Sequence, residues 1–340
     1  MKGAIIAQDE IDTWTVHRFL PAGFDHSQIS SEDAVYSVLG GMGDPYPIKI
    51  DEILVRSTWT PNVAVAKTYS GPQQRILLAG DACHQTVPTG GYGMNMGIAE
   101  AFDLGWKLAA ISNGWGGPQL LPSYEEERRP VALLSLQWSK GHMGKIMALS
   151  TILGLEADVI NSADEKGQKM RSAIHQYAQT NDGHNKSIGV EMGYRYDSRI
   201  CVPGEIDHES TPPAFDSRRY NPTTYPGSRA PHIFLKDGTP IFDKYSKEFT
   251  LIEFNNEQKS PATAYICNAA KKHNIPLEVV VLTGENHANA IWGANLVLIR
   301  PDGFVSWHGN TIKDQNSADW ILSKATGYGD GENKSSTNNN

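Results

Sequence analysis

The residues best suited to chemistry lie in one stretch of the sequence, residues 75–97, which reads RILLAGDACHQTVPTGGYGMNMG. Asp81 follows a short apolar run, residues 76–79, and Gly80. Such a run is typical of a strand that is buried on both faces of a parallel sheet. Ligands bind at the carboxyl ends of these strands. We therefore expect the carboxylate of Asp81 to accept hydrogen bonds from the hydroxyl groups of a sugar.

A glycine-rich turn follows Asp81, with Pro88, Gly90, Gly91 and Gly93, and leads into a helix predicted to begin near Met94. Glycines allow the backbone to approach a flat group closely. The helix start presents unpaired N–H groups and a partial positive charge of roughly half a unit, which favours an electron-rich ring edge. The predicted apolar face of this helix consists of Ile98, Ala101, Phe102, Leu104, Trp106, Leu108 and Ala109.

This stretch resembles the second flavin-binding motif, the GD motif, of FAD-dependent aromatic hydroxylases of the phenol hydroxylase type. The resemblance implies that Asp81 binds the ribityl chain of FAD and that Pro88 lies beside the isoalloxazine ring. It also implies that the backbone of the turn and helix start meets the O2 edge of the flavin. The residues matched to the cofactor are Gly80, Asp81, Pro88, Gly91, Gly93, Met94 and Asn95.

Another interpretation of this stretch is a strand, a tight turn and a buried helix that bind no ligand. A strand followed by Gly80 and Asp81 alone would favour that interpretation. The proline, the three glycines and Asn95 stand at the spacing of the motif, and Trp106 and Lys107 fit the helix of the family. Together these matches favour the flavin site.

Composition limits the remaining classes of function. The 340 residues are enough for about two domains, and the net charge of −8 without a basic run argues against a nucleic-acid partner. Three distant cysteines indicate neither disulfides nor a CxxC pair. The eleven histidines show no paired ligand spacing, so no metal site is expected. No apolar run reaches membrane-spanning length, and we expect a cytoplasmic protein without a membrane partner.

Within the first 70 residues, polar and apolar residues alternate at residues 13–17 and 48–50. This alternation predicts strands with one solvent-exposed face. In the resembled family a substrate-domain sheet precedes the GD motif, and residues 53–69 are similar to its last segment. Three aromatic residues here either line a substrate pocket or belong to a core, and none is expected to be catalytic: Trp14, His17 and Trp59.

The chain lacks the strand, GxGxxG turn and helix that hold the pyrophosphate of FAD in proteins of this type. The nearest sequence, Gly40-Gly41-Met42-Gly43, is followed by Asp44, Pro45 and Pro47, which oppose a helix start. We predict a turn there. By resemblance, the sequence corresponds to the carboxyl-terminal part of a hydroxylase.

Two helical segments follow the GD motif. Ser123 and Glu126 have capping-box spacing, which predicts a helix start at Ser123. Pro130 is expected to kink or restart this helix, and helical spacing continues over residues 132–155. In the family such helices pack beneath the flavin domain and at a dimer interface, so the resemblance also implies a homodimer contact. Tyr194 and Tyr196 are expected to be packing residues.

The carboxyl-terminal part predicts a thioredoxin-like domain. Residues 207–225 are rich in Pro, Ser, Thr and Asp and read as a linker. The PGSRAP start and the LVLIRPDGFVSWHG end resemble the thioredoxin-like tail of the same hydroxylases. Cys267 stands alone in a predicted helix, so redox catalysis is not expected. The predicted elements are strand 249–254, helix 261–273, strand 277–283, strand 296–299 and strand 304–307.

The sequence thus predicts an α/β fold: an α+β substrate sheet and partial FAD-binding domain over residues 1–206, the linker, a thioredoxin-like domain over 226–326, and a disordered tail over 327–340. The resemblance implies a monooxygenase that uses FAD, NADPH and O2 to hydroxylate a phenolic or related small aromatic substrate. No acid or base could be assigned. The alternative is a truncated, inactive flavoprotein fragment that serves as a binding or oligomerisation module.

Overall fold

The computed structural model describes residues 3–39, 46, 48–153, 157–182, 186–204, 212–255 and 260–329. The chain divides into two compact units, one formed by residues 1–61 with 144–181 and the other by residues 62–143 with 182–340. Helices combine with small sheets in these units, which confirms the predicted α/β class. None of the described helices has the length and apolarity needed to cross a bilayer.

The first unit contains an antiparallel hairpin of β1 (Gly3–Ala7) and β2 (Trp14–Arg18), together with α1 (Ser31–Leu39), α4 (Ala157–Asn161) and α5 (Glu165–Thr180). Strand β2 confirms the strand predicted at residues 13–17, but its burial does not alternate, since Trp14 is exposed and the other four residues are half-buried. Residues 48–50 form no strand, so that prediction is wrong. Trp14 and Trp59 are both more than half exposed, and hence do not form a core. The glycine sequence 40–43 lies outside the described residues.

The second unit begins with a short antiparallel pair, β3 (Ala64–Val65) with β4 (His84–Gln85). Two long helices follow, α2 (Tyr92–Ser112) and α3 (Leu120–Leu153), of which residues 120–143 belong to this unit. A short helix, α6 (Ile188–Met192), lies later in the chain.

Helix α3 begins three residues before the predicted start, so the capping box is wrong. The hydroxyl of Ser123 donates to the carbonyl of Leu120 at 2.7 Å, inside the helix, and Glu126 bonds to Arg199 instead of capping. The helix also continues through Pro130 without restarting. The spacing alone could not reveal that Ser123 bonds to the preceding turn of the same helix, or that Glu126 has a tertiary partner.

A mixed four-stranded sheet forms the carboxyl-terminal part of the second unit. Its order is β6-β5-β7-β8, with β5 parallel to β6 and the other neighbours antiparallel. The predicted strand bounds agree to within two residues. The strands are β5 (Phe249–Asn255), β6 (Leu277–Thr283), β7 (Leu296–Ile299) and β8 (Val305–Gly309), and the helices are α7 (Pro261–Lys272), α8 (Asn286–Trp292) and α9 (Gln315–Ala325).

Alternating strand residues give this sheet a core on each face. Leu251 and Leu298 pack in one buried cluster with the apolar sides of α7 and α9, whereas Ile252 and Val297 pack in another with Trp292 of α8. The period of two in a strand explains why neighbouring residues enter different cores. Cys267 lies inside α7, as expected.

The described part of the predicted linker, residues 212–225, contains no helix or strand. Residues that the sequence analysis assigned to two domains nevertheless share the second compact unit. The boundary at 207–225 stays a prediction. Residues 330–340 of the predicted tail lie outside the described residues.

Candidate functional site

Asp81 lies on a turn and not at the end of a strand. It is exposed in a short 3-10 helix, Gly80–Ala82, and Gly80 has a φ of 59° with open space where a side chain would stand. The predicted buried strand at residues 76–79 is wrong. Leu77 forms only a single bridge, to Ser70, and Ile76 is 71% exposed. A strand is buried on both faces only when it pairs within a sheet and other elements pack against both faces of that sheet, which the local sequence does not determine.

The glycine turn adopts the left-handed backbone that glycine allows. Gly90 and Gly91 have φ values of 88° and 68°. A Cβ at Gly90 would lie 2.4 Å from the ring of Tyr92, whereas a Cβ at Gly91 would meet nothing within 4 Å. Gly91 is the N-cap of α2, so the helix begins at Tyr92, two residues before the predicted start near Met94.

The first turn of α2 is open for a ligand. An α-helix leaves its first N–H groups without intrahelical acceptors, and no side chain caps this one. The N–H of Gly91 donates to the carbonyl of Pro88 at 3.1 Å. The N–H groups of Tyr92, Gly93 and Met94 are therefore the ones available to a ligand. The side chain of Asn95 donates to the Gly91 carbonyl at 2.8 Å. The start of this 21-residue helix therefore favours a partly negative oxygen.

Ser139 of α3 binds the residues on both sides of Pro88. The hydroxyl of Ser139 donates to the carbonyl of Val87 at 2.7 Å, and the hydroxyl of Thr89 donates to the carbonyl of Ser139 at 2.7 Å. The hydroxyl of Tyr92 lies 3.1 Å from Nε2 of His142. Pro88 itself is exposed. The turn is thus fixed from behind while its outer side faces solvent.

A buried group that the sequence analysis missed lies behind Asp81. One oxygen of Glu100, Oε2, accepts from the N–H of Gly80 at 2.8 Å and lies 3.0 Å from Nε2 of His84 and 3.5 Å from Sγ of Cys83. Burial, with help from the Glu100 carboxylate, raises the pKa of the Cys83 thiol to about 12.

The donor atoms of Cys83, His84 and Glu100 lie within 4.8 Å of one another, a set that could hold a metal ion. Histidine spacing alone gave no sign of this set, because its members come from a turn and from a helix. The available signal was the spacing of Glu100, Asp103 and Lys107, which places these three charged residues on one side of α2.

A second buried group joins α2 and α3 to the residue after β7. The guanidinium of Arg300 donates two hydrogen bonds to the carboxylate of Glu127, at 2.6 and 2.8 Å, and one to Asp103 at 3.1 Å. Lys107 bonds to Glu127 at 2.7 Å and to Asp103 at 2.9 Å. Burial by itself would raise the pKa of Glu127, but Arg300 and Lys107 outweigh it and lower that pKa to about 2.

The predicted apolar face of α2 is largely its outward face. Ile98 is 61% exposed and Phe102 is 58% exposed, whereas Trp106 is buried and Leu104 is partly buried. The other exposed members are Ala101, Leu108 and Ala109. The charged residues of the helix, Glu100, Asp103 and Lys107, are buried instead. Periodicity identified an apolar stripe correctly but assigned it to the wrong side.

The structure brings the two ends of the predicted site to the same part of α2. A Cβ at Gly97 would lie 3.4 Å from Cα of Gly80, so the turn that carries Asp81 packs against the second turn of the helix. Gly91, Gly93, Met94 and Asn95 precede Gly97 on or beside the first turn. An exposed carboxylate and an uncapped helix start therefore flank one open glycine turn.

Comparisons with known proteins match this region and the carboxyl-terminal part. A family model described as the FAD binding domain matches residues 13–139. A second model, described as the C-terminal part of aromatic-ring hydroxylases, matches residues 223–328. Both agree with the resemblance drawn from the GD motif.

Individual relatives extend these matches over most of the chain. The FAD-dependent monooxygenase apdD of Emericella nidulans is 59% identical over 330 residues, which cover 96% of this chain and 53% of the relative. The 2,4-dichlorophenol 6-monooxygenase of Delftia acidovorans is 29% identical over 312 residues, covering 83% of this chain and 51% of the relative. The chain thus spans about half the length of these relatives.

A solved structure gives the same result. The flavin-dependent monooxygenase PieE, in complex with FAD and substrate, superimposes with a TM-score of 0.79 at 25% identity. The match covers 95% of this chain and 59% of that structure. The fold seen here is therefore one found in a flavin-dependent monooxygenase.

Proposed function

We propose that this chain, which belongs to the FAD-dependent aromatic-ring hydroxylases, supplies the ribityl and pyrimidine side of an FAD site for the hydroxylation of a phenolic or related aromatic compound. The observation that carries this proposal is that exposed Asp81 and the uncapped start of α2 flank one open glycine turn. The co-substrates in this proposal are NADPH and O2.

Asp81, the glycine turn and the start of α2 fit the parts of the flavin that the proposal assigns to them. Asp81 accepts hydrogen bonds from ribityl hydroxyl groups, and the N–H groups of Gly93 and Met94 donate to a carbonyl oxygen of the ring. Gly91 and Pro88 leave room for a flat group because neither presents a long side chain. The bound flavin would supply the redox chemistry that the side chains lack. The protein orients the ring and stabilises negative charge at its pyrimidine edge.

We expect the isolated chain to bind FAD weakly. The pyrophosphate of FAD needs a glycine-rich turn at a helix start, and the sequence contains no GxGxxG. A helix terminus contributes only about 1 kcal/mol, so the Asp81 turn cannot replace those contacts. The apolar outward face of α2 supports the same expectation, because a helix that is apolar on its outer side normally packs against further protein.

The activity test compares this chain with a fusion that adds the part of the Emericella nidulans relative that the chain does not match. NADPH oxidation and oxygen uptake are measured with excess FAD and a panel of phenols. We expect substrate-dependent turnover by the fusion and none by the chain alone. Coupled turnover by the chain alone would contradict the expected dependence on added pyrophosphate contacts, and an inactive fusion that binds no FAD would contradict the proposal.

A second candidate function is an inactive flavoprotein fragment that acts as a binding or oligomerisation module, including a homodimer. The exposed apolar face of α2 favours it. The two candidates differ in a simple measurement. A flavin absorption spectrum retained by the purified fusion supports the enzyme. Self-association of the chain without any flavin binding by chain or fusion supports the module.

A further inference from the structure

Glu100 connects α2 to the turn that carries Asp81. Its Oε2 atom contacts the N–H of Gly80, the ring of His84 and the thiol of Cys83, at 2.8, 3.0 and 3.5 Å. These three residues lie on both sides of Asp81 in the sequence. Contacts to a single carboxylate oxygen therefore attach the whole turn to the helix.

Because Glu100 is buried, losing these contacts would be energetically costly. The residue is fully buried, and a buried carboxylate is stable only where donors surround it. The donors on the turn would likewise lose their acceptor, Oε2 of Glu100, if the turn moved away from α2. A buried N–H without an acceptor is costly, so the N–H of Gly80 keeps the turn in one position.

We propose that Glu100 is a positioning residue for the flavin, because it fixes the Asp81 turn at a set distance from the open start of α2. Asp81 is exposed and depends on the backbone of its turn for its place. Glu100 stands on the same helix whose first turn is proposed to meet the ring of the flavin. The ribityl and ring contacts are thereby held in register by one rigid element. This inference rests on the proposed function.

The test uses two substitutions that separate hydrogen bonding from packing. Glu100→Leu fills the buried space without an acceptor, whereas Glu100→Gln retains one acceptor oxygen without the charge. A packing role predicts that the leucine variant behaves like the wild type. The positioning role predicts that riboflavin affinity, measured by equilibrium dialysis, falls about tenfold with leucine and only a few-fold with glutamine.

Riboflavin is the probe because it carries the ribityl chain and ring without the pyrophosphate. The matched control is Glu125→Gln. Glu125 also accepts a backbone N–H, from Tyr69 at 2.8 Å, but it has no contact with residues 80–84 among the described hydrogen bonds. We expect this control to bind riboflavin as the wild type does.

A second readout needs no flavin. Cys83 is 2% exposed, so its alkylation by iodoacetamide, followed by peptide mass spectrometry, reports opening of the turn. We expect the rate at Cys83 to be about tenfold higher in Glu100→Leu than in Glu100→Gln. Both variants remove the carboxylate charge that raises the pKa of Cys83, so the difference between them reports opening of the turn. Cys201 and Cys267 serve as internal references, since global unfolding would raise all three rates together.

The outcomes distinguish this inference from the proposed function. Equal riboflavin affinities of the wild type and both Glu100 variants would overturn the inference and leave the proposed function intact. If neither the wild-type chain nor the fusion bound riboflavin or FAD, the proposed function would fail. In that case the inference would fall with it, and the Cys83 rates would still show whether Glu100 fixes the turn.

Discussion

Two buried polar groups lie one turn apart on α2, and they differ in how completely their hydrogen bonds are made. Around Glu100 a single carboxylate oxygen takes donors from a turn, and no hydrogen-bond partner was found in the described structure for Oε1 of Glu100 and Nδ1 of His84. In the group around Asp103 and Lys107, each carboxylate forms an ion pair with a cation. Arg300 also donates two hydrogen bonds to the carboxylate of Glu127. The second group is the more completely satisfied of the two.

This difference indicates a division of roles along α2. The fully paired group joins the helix to the end of β7 and so stabilises the second unit. The group around Glu100 lies directly behind an exposed turn, where hydrogen-bonding capacity is left over. We infer that changes in the group around Arg300 alter stability, and that changes near Glu100 alter binding.

The largest expected effect is on stability, from Arg300→Met. The variant removes the cation that Asp103, Glu127 and Asp302 share and leaves these buried carboxylates with Lys107, which should lower the free energy of unfolding by about 3–5 kcal/mol. Urea unfolding followed by tryptophan fluorescence measures it. Arg199→Met is the control, because Arg199 forms a partly exposed ion pair with Glu126 and should cost no more than about 1 kcal/mol. Equal losses in the two variants would contradict the division of roles.

The next effect is a pH dependence that arises from Glu127. Its pKa is lowered in the folded state from the ordinary 4.5 to about 2, because Arg300 and Lys107 outweigh the effect of burial, so the ionised carboxylate of Glu127 stabilises the folded state. Because the folded pKa is the lower one, this stability is present above pH 4.5 and is lost as the pH falls towards 2. Glu127→Gln should therefore be clearly less stable than the wild type at pH 7.

Unfolding at several pH values checks this sign. The difference in unfolding free energy between the wild type and Glu127→Gln should shrink steadily below about pH 4. A difference that stays constant down to pH 2 would show that the carboxylate charge of Glu127 does not stabilise the fold.

The sequence predicted the carboxyl-terminal sheet well and the surroundings of Asp81 only in part. Strands such as β6 could be predicted because their apolar residues and flanking turns are local signals. The face of α2 could not, because the helix carries apolar residues on two sides and periodicity does not say which side is covered. The pairing of Arg300 with Glu127 joins residues 173 positions apart, and the sequence contains no signal of such a contact.

The GD stretch shows the same limit in a different form. Its residue types and spacing identified the turn and the helix start, because glycine conformation and helix ends are local properties. The strand at residues 76–79 was wrong because burial of a strand depends on neighbours elsewhere in the chain. Glu100 was missed because its role appears only when the turn folds back onto α2.

The central claim, that Asp81 binds the ribityl chain of a flavin, is tested most directly by comparing riboflavin with lumichrome, which has the ring system without the ribityl chain. Asp81→Ala should weaken riboflavin binding by about tenfold to a hundredfold, as a charged hydrogen bond contributes about 1.5–3 kcal/mol. It should leave lumichrome binding and the free energy of unfolding unchanged, since Asp81 is exposed. An unchanged dissociation constant for riboflavin in Asp81→Ala would remove Asp81 from the site and contradict the account.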